Sequence, residues 1–532
     1  MRNQSPNQHN FALVPTLSKP RSVFDRSQSY KTTLDADYLY PYYFPLCYPG
    51  DGIKASQNIL VRFNSPLLFA PLDNLWLDTF TFFVPIRLVW TNFVKFMGEQ
   101  TNPGDSISYT VPQCTGPNVA SGGIALGSLM DYFGLPTEAQ SGGGATTGIT
   151  YNNLLPRCYQ LIWNTWFRDE NLQNSVTVDL GDGPDTYTNY NLLRRGKRFD
   201  YFTSCLPYPQ KDSTAISMPL AGSAPVTLTA GAAGDISIQN SSGSPIKMGS
   251  SGTYVDVTGT AGSSANALYA NLASATGATI TAMRQSVALQ QFLENDARGG
   301  VRYTEILKHR WGVNQPDKSW RPELVHTSSV PIKLNVVAST VGAAADPAYP
   351  LGALGSFGTA VNSPSFTYQV TEHGYLISLL SIRADIAYAQ GMDRSWSYRT
   401  RYDFYNPDLE GLSEQAVLNR EIYTNIADGT GATQKDGVFG YQEYHAEDRF
   451  GRSMVTGLMR PQATGTLAAW NFVELFSSQP TLGSTFIPSS ATTPIDRAIS
   501  FPSQPQFLVD VYTQAKWARV MPVYSVPGLK KL

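Results

Sequence analysis

The sequence predicts a mainly β fold, a β-sandwich or jelly roll that carries long insertions and a few short helices. Three observations carry that expectation. Strand-forming runs rich in β-branched and aromatic residues dominate after residue 60, the connections between them are rich in proline and glycine, and helical periodicity is confined to short stretches. At 532 residues the chain exceeds a usual single core, so two domains, or one with large insertions, are expected.

Taken in order, residues 1–60 read as an extended N-terminal arm, because "RSVFDRSQSYKTTLDADYLYPYYFPLCYPGDG" mixes charge, aromatics and prolines without a sustained period. The body begins at 61. "LWLDTFTFFVP" (75–85) is β-branched and aromatic and stops at Pro85. "RLVWTNFVKFMG" (87–98) reads as a helix, with Leu88, Val89, Phe93, Phe96 and Met97 on one stripe and Gly98 as its stop. "YQLIWNTWF" (159–167) and "SEQAVLNREIY" (413–423) read as two more helices. "ISLLSIRADIAYAQG" alternates as a strand does, with Ile382, Ala384, Ile386 and Tyr388 on one face and Arg383 and Asp385 on the other.

The sharpest compositional break divides the body into a first part, 61–211, with loop insertions, and a second, 284–532, that ends in an extended C-terminal tail. Between them, from Ser213 to Met283, the only charges are Asp235, Lys247 and Asp256. "VTLT", "DISIQ" and "TYVDVT" alternate like strands there, so 212–283 reads as a small β-rich projection. A low-complexity linker is the alternative. The return stroke, "TAMRQSVALQQFLENDARGG", reads as a helix ended by Gly299-Gly300. "VRYTEILKHRWG" follows as a second short helix.

Charged residues make up 15% of the chain, below the roughly 25% of an ordinary soluble protein, while aromatics reach 12%. Sparse charge with abundant aromatics suits a protein that hides much of its surface against other chains. A net charge of −2 excludes a globally basic nucleic-acid binder, so any nucleic acid must meet a local patch or a separate basic partner. The opening residues hold no signal-peptide core, and no run reaches the roughly 18 apolar residues of a membrane span. The four scattered cysteines, Cys47, Cys114, Cys158 and Cys205, form no CxxC pair and read as reduced packing residues.

Signals of catalysis are weak. GxSxG, HExxH and GxxxxGK[ST] do not occur, and His9, His309, His326, His373 and His445 are too dispersed for a metal site. "GGGATTG" and "DGTGATQ" read as turns, and "DLGDGPD" (179–185) lacks the spacing of a calcium-binding loop. "YQEYHAEDRF" (441–450) is the best enzyme candidate, because Glu443 and Glu447 could serve a glycosidase as acid and base. Acidic residues beside Arg449 and Arg452 more often form ion pairs. "RRGKRFDYF" (194–202) is the best nucleic-acid candidate: Arg194, Arg195, Lys197 and Arg198 for phosphates, and Phe199, Tyr201 and Phe202 for stacking. A solvated charge run entering a strand has the same spacing. No cofactor is expected.

Read together, these stretches resemble the major capsid proteins of the Microviridae, in the gokushovirus branch of small bacteriophages. The resemblance rests on "RSVFDRSQSYKTTLDAD", "PGD" (49–51), "DNLWLDTFTFFVPIRLVWTNFVKFMGEQ", "YQLIWNTWFRDENLQ" and "GKRFDYFTSCLPYPQK". It continues through "LQQFLENDARGGVRYTEILKHRWGV", "RYDFYNPDLEGLSEQAVLNREIY", "VFGYQEYHAEDRF" and "MPVYSVPGL", in that order along nearly the whole chain. It implies an eight-stranded viral jelly roll that assembles through pentamers into a T=1 icosahedral virion around a circular single-stranded DNA genome. It further implies that the insertion 212–283 protrudes near three-fold axes for attachment to a host receptor. Partners implied are a small basic DNA-binding protein, a scaffolding protein and a spike or pilot protein, with assembly in the bacterial cytoplasm. Residues 102–150 and the insertion follow the family in position more than in residues. On this reading Gly299-Gly300 is a joint through which the helix returning from the insertion re-enters the body.

Overall fold

The computed structural model describes residues 20–138, 148–211, 320–340, 351–409, 414–488 and 494–524, together with the helix 280–298 and short segments inside 224–270 and 305–309. The chain divides into two compact units, Met1–Pro209 with Val301–Leu532, and Gln210–Gly300.

The first unit is built on two antiparallel sheets. One contains β1 (Ser22–Asp25), β2 (Gln28–Leu34), β5 (Gly52–Phe63), β8 (Lys333–Ala338), β9 (Leu354–Asn362), β10 (Ser365–Gln369) and β12 (Phe507–Arg519). Its path runs β1-β12-β5-β9-β8, with β2 also on β12 and β10 also on β5. The other contains β3 (Tyr40–Tyr43), β4 (Leu46–Cys47), β6 (Leu75–Pro85), β7 (Glu323–Pro331) and β11 (Gly374–Ala384), ordered β7-β6-β11-β3 with β4 also on β11. Seven and five strands thus replace the expected eight. Part of the excess comes from interrupted lines: β9 and β10 follow one another along β5 across a break at Ser363-Pro364, and β3 and β4 along β11 across Phe44-Pro45. Proline supplies no ladder donor, which explains both breaks.

The segment expected to be an arm is instead part of this core. Residues 22–63 supply strands to both sheets, and Tyr40, Tyr42 and Tyr43 are buried. Of the prolines that suggested an arm, Pro45 and Pro49 lie between strands and Pro41 lies in the edge strand β3, while the tyrosines carry the packing.

In β5 and β12 alternate residues point inward, and Ile53, Ile59, Val61, Val509, Val511 and Trp517 meet Leu75, Leu77, Leu376, Leu380 and Ile382 of the second sheet. A buried polar layer crosses this interior: Tyr42 donates to Gln57 Oε1 (2.7 Å) and Gln57 Nε2 to Ser378 Oγ (3.1 Å). The central strands β6 and β11 are buried on both faces, so they read as nearly continuous apolar runs. Their far face, with Phe82, Val84, Ile377 and Leu379, is covered by helix α1 (Leu154–Ile162) through Leu154, Cys158 and Ile162.

Two expected helices change form. Residues 87–98 give only single turns at Ile86–Leu88 and Phe93–Phe96. Trp90 between them is fully buried, its indole donating to Asp182 (2.6 Å), a position that interrupts the stripe. Of the stretch 413–423, the described residues form a strand, Gln415–Leu418, followed by a single helical turn, Asn419–Ile422, because β-branched Val417 and its neighbours pair with Val438–Gln442. The stretch 159–167 does lie in a helix, which widens to a π turn at Trp163–Phe167.

In the second unit, three short antiparallel pairs (Ser237–Gln239 with Pro245–Lys247, Gly249–Ser251 with Tyr254–Asp256, Ala224–Pro225 with Tyr269–Ala270) precede helix α2 (Ile280–Arg298). "VTLT" and the Gly299-Gly300 pair lie outside the described residues.

Candidate functional site

The basic segment 194–198 runs as an irregular ribbon pinned on both sides. Arg195 N donates to Asp37 O (2.6 Å), Lys197 N donates to Ile487 O (2.8 Å), and Gly196 pairs with Pro488. This pinning turns alternate side chains inward. Arg195 reaches Asp78 Oδ2 at 2.6 Å, and Arg383 meets the same oxygen at 3.0 Å, while Ser329 donates to Asp78 Oδ1 (2.5 Å). Burial pushes the Asp78 carboxyl up, but Arg195, Ser329 and Arg383 outweigh it and hold it below the ordinary carboxylate value. Burial lowers Arg195 to about 10, with Arg383 repelling and Asp78 opposing the shift, so it stays charged at neutral pH.

Lys197 forms an ion pair with Glu474 at 2.5 Å, and both side chains are only 2% exposed. Its ammonium sits 4.2 Å from the centre of the Phe486 ring, with Tyr388 and Phe476 also facing it. Arg195 and Lys197 therefore have their charge matched inside the protein and cannot reach phosphates, which corrects their assignment from spacing. The correction has a physical cause, since each cation meets a carboxylate from a distant strand, Asp78 or Glu474, that spacing along the chain does not reveal. Arg194 lies over Tyr38 (4.9 Å). Arg198 is partly exposed, 3.3 Å from Asp385 and stacked on Trp76 (4.8 Å). Of the three aromatics, Tyr201 and Phe202 are buried, and Phe199 is 85% exposed.

The acidic segment 441–450 is likewise a framework of pairs. Glu447 accepts from Tyr398 (3.0 Å) and faces Arg394 (3.3 Å) and His445 (3.4 Å). Glu443 pairs with Arg449. Arg394 also holds Glu421 (3.0 Å), which burial raises above its ordinary value and which accepts from Tyr201 (2.9 Å). Glu443 and Glu447 line neither of the two cavities that open on this part of the surface.

The loop "DLGDGPD" also satisfies its own carboxylates. Asp185 binds the buried Arg157 through two contacts (2.5 and 2.7 Å), and Asp182 takes Trp90 and Asn92. Among the described residues no cluster of His, Cys, Asp and Glu could hold a metal ion. All four cysteines are buried and unpaired, and burial pushes the thiols up, Cys47 to about 12. Among the described residues no helix is long and apolar enough to cross a membrane.

Sequence reasoning missed Asp78 and Glu474, the acids that absorb the basic segment. Asp78 had a signal: it is the one charge in an otherwise apolar and hydroxylated strand.

A second kind of evidence comes from similarity to known proteins. Residues 12–529 match the family described as capsid protein (F protein). Capsid protein VP1 of Bdellovibrio phage phiMH2K is 38% identical over 542 residues, covering 98% of each chain. The protein of the same name from Chlamydia phage 1 is 37% identical over 601 residues, and that of Spiroplasma virus 4 is 31% identical over 560, each again covering 98% of both chains. Likeness to viral coat proteins from end to end leads to one conclusion: the chain belongs to the phage capsid protein (F protein) family and is a structural protein of the virion, not an enzyme.

Proposed function

We propose that the chain is the major subunit of a T=1 icosahedral shell around a circular single-stranded DNA genome, assembled through pentamers. The observation that carries this reading is the match along 98% of the chain to three viral capsid proteins. The low charge content and net charge of −2 support it, since the DNA must then be neutralised partly by a separate small basic protein. The insertion 212–283 serves attachment to a host receptor near the three-fold axes, and scaffolding and spike or pilot proteins act as further partners. Gly299-Gly300 forms the joint between that insertion and the body. Of the basic segment, Arg194 and Arg198 stay the candidates for contact with the genome.

Sedimentation velocity on the purified chain, with electron micrographs of the fastest fraction, tests the proposal. Pentamers or closed shells with regularly spaced knobs are expected, and fewer shells from Gly300→Val. A strict monomer, persisting when the basic protein, scaffold and DNA are supplied, overturns the shell. Normal shells of normal stability from Gly300→Val overturn the joint.

A further inference from the structure

Two cavities adjoin on the surface of the first unit. The larger, about 640 Å³, is lined by Arg399, Arg420, Lys435, Arg452 and Arg460 against only Asp393 and Asp428. The smaller, about 300 Å³, is lined by Phe199, Tyr201, Phe202, Arg449 and Phe450 with Asp200. They share Tyr388, Arg452 and Ser453, so they form one continuous depression. Six cations face three carboxylates along it, on a chain whose net charge is −2.

The cations differ in how far they are neutralised. Arg420 pairs with Asp436, Lys435 with Asp428 (2.9 Å), and Arg449 with Glu443. Arg452 donates to the carbonyls of Glu421 (2.8 Å) and Met392 (3.3 Å) and stacks on Phe202 (4.8 Å), with no carboxylate in ion-pair contact among the described residues. Arg399 and Arg460 are exposed and have no ion pair among the described residues. Three guanidinium charges are thus left for an anion.

Large rings flank these charges in water. Trp396 is 80% exposed and Phe199 85%, with Phe450 at 48%. Trp396 is not loosely held. It stands on the short turn Arg394–Ser397, whose Asp393 cap accepts from Ser395 N (3.0 Å) and Oγ (2.6 Å), and whose Arg394 is clamped by Glu421 and Glu447. A fixed platform that presents an indole beside unpaired guanidiniums matches the chemistry of unpaired nucleic acid, where bases stack and phosphates need cations.

We propose that this depression is a track for single-stranded DNA, with Trp396 and Phe199 stacking on bases and Arg399, Arg452 and Arg460 holding phosphates. The proposal rests on the reading of the chain as a shell around such a genome, and it adds a contact beside the basic segment to those of Arg194 and Arg198. Residues 199–202, at the end of the stretch 194–202, line the depression as well.

Anisotropy of a labelled oligothymidine of about twenty nucleotides, titrated with the full-length chain at several salt concentrations, tests it. Stacking contributes about 1–3 kcal/mol per base, so Phe199→Ala with Trp396→Ala should weaken binding at least about ten-fold. Single strands lose affinity with a log–log salt slope of about −0.7 per phosphate contacted, so Arg399→Gln with Arg460→Gln should make the slope shallower by about 1.4. All four side chains are exposed, so these variants should fold normally, which circular dichroism checks. Affinities within two-fold of the unaltered chain overturn the track. Heparin competition combined with indifference to Trp396→Ala shows a general anion patch and also overturns it. Shells are counted by electron microscopy in parallel: shells with unaltered oligonucleotide affinity in the variants refute the track alone, whereas absence of shells from the unaltered chain refutes the underlying reading.

Discussion

Replacing one partner of the Lys197–Glu474 pair tests the claim that the basic segment is held from within. Both side chains are 2% exposed and the charges lie 2.5 Å apart inside a ring of aromatics. Glu474→Leu strands an ammonium and Lys197→Met strands a carboxylate, and each should cost about 3–5 kcal/mol. The double replacement, Lys197→Met with Glu474→Leu, leaves an apolar plug among Phe486, Tyr388 and Phe476 and should return to within about 1–2 kcal/mol of the original. Because a chain of this size need not unfold in one step, local opening is the quantity to measure. The amide of Lys197 donates to Ile487 O and reports directly on the segment. Hydrogen exchange followed by mass spectrometry should show it opening about 10²–10⁴ times more readily in either single variant, at 1.4 kcal/mol per factor of ten. The two singles should differ in pH response. In Lys197→Met the native state takes up a proton on the stranded carboxyl more readily than the unfolded chain does, so stability recovers as pH falls. In Glu474→Leu burial disfavours the charged ammonium, so the recovery runs the other way, as pH rises. Singles costing under about 1 kcal/mol each and simply additive would refute the reasoning.

Two further outcomes follow from burial. Native protein should react with a thiol reagent at none of its four cysteines, and at all four once unfolded, because every thiol is buried and shifted upward; fast labelling of the native form would contradict this. Asp78, held below its ordinary value, contributes stability that is present above about pH 4 and is lost as pH falls through its native value. Asp78→Asn should therefore lower stability at pH 7 by about 3 kcal/mol or more while flattening the acid limb of an unfolding profile, and an unchanged acid limb would exclude Asp78 as its source.

Much of the architecture was legible because it rests on periods of two. The faces of Ile382, Ala384 and Arg383, Asp385 follow from alternation alone, since one side of β11 meets the shared core. What was not legible depended on contacts between residues far apart in the chain. Residues 22–63 look like an arm until β12, more than 440 residues later, provides the strand that β5 pairs with. Val417 sits in a helical pattern locally but pairs with Gly440 across a sheet. The same limit governed the candidate site. Four cations in five residues suggest a phosphate clamp, yet two of them are absorbed by Asp78 and Glu474, and although Asp78 stands out as a lone charge in its strand, neither position tells which cation it meets. Trp396 and Arg399 lie within a few residues of each other in "DRSWSYR", but only folding brings Arg460 and Phe199 to the same depression.

The placement of β12 has a consequence for how the protein is made. This strand lies between β5 on one side and β1 and β2 on the other, so the first sheet is two separated pieces until residues 507–519 leave the ribosome. At about 5–20 residues per second, β5 waits roughly 20–90 s for its neighbour. Through that interval its edge is open, and a nascent chain can neither finish its core nor present a completed surface to another copy. Emergence of residues 507–519 thus acts as the clock that releases a subunit for assembly, and a chain cut short before residue 507 should be cleared by proteolysis rather than enter a shell.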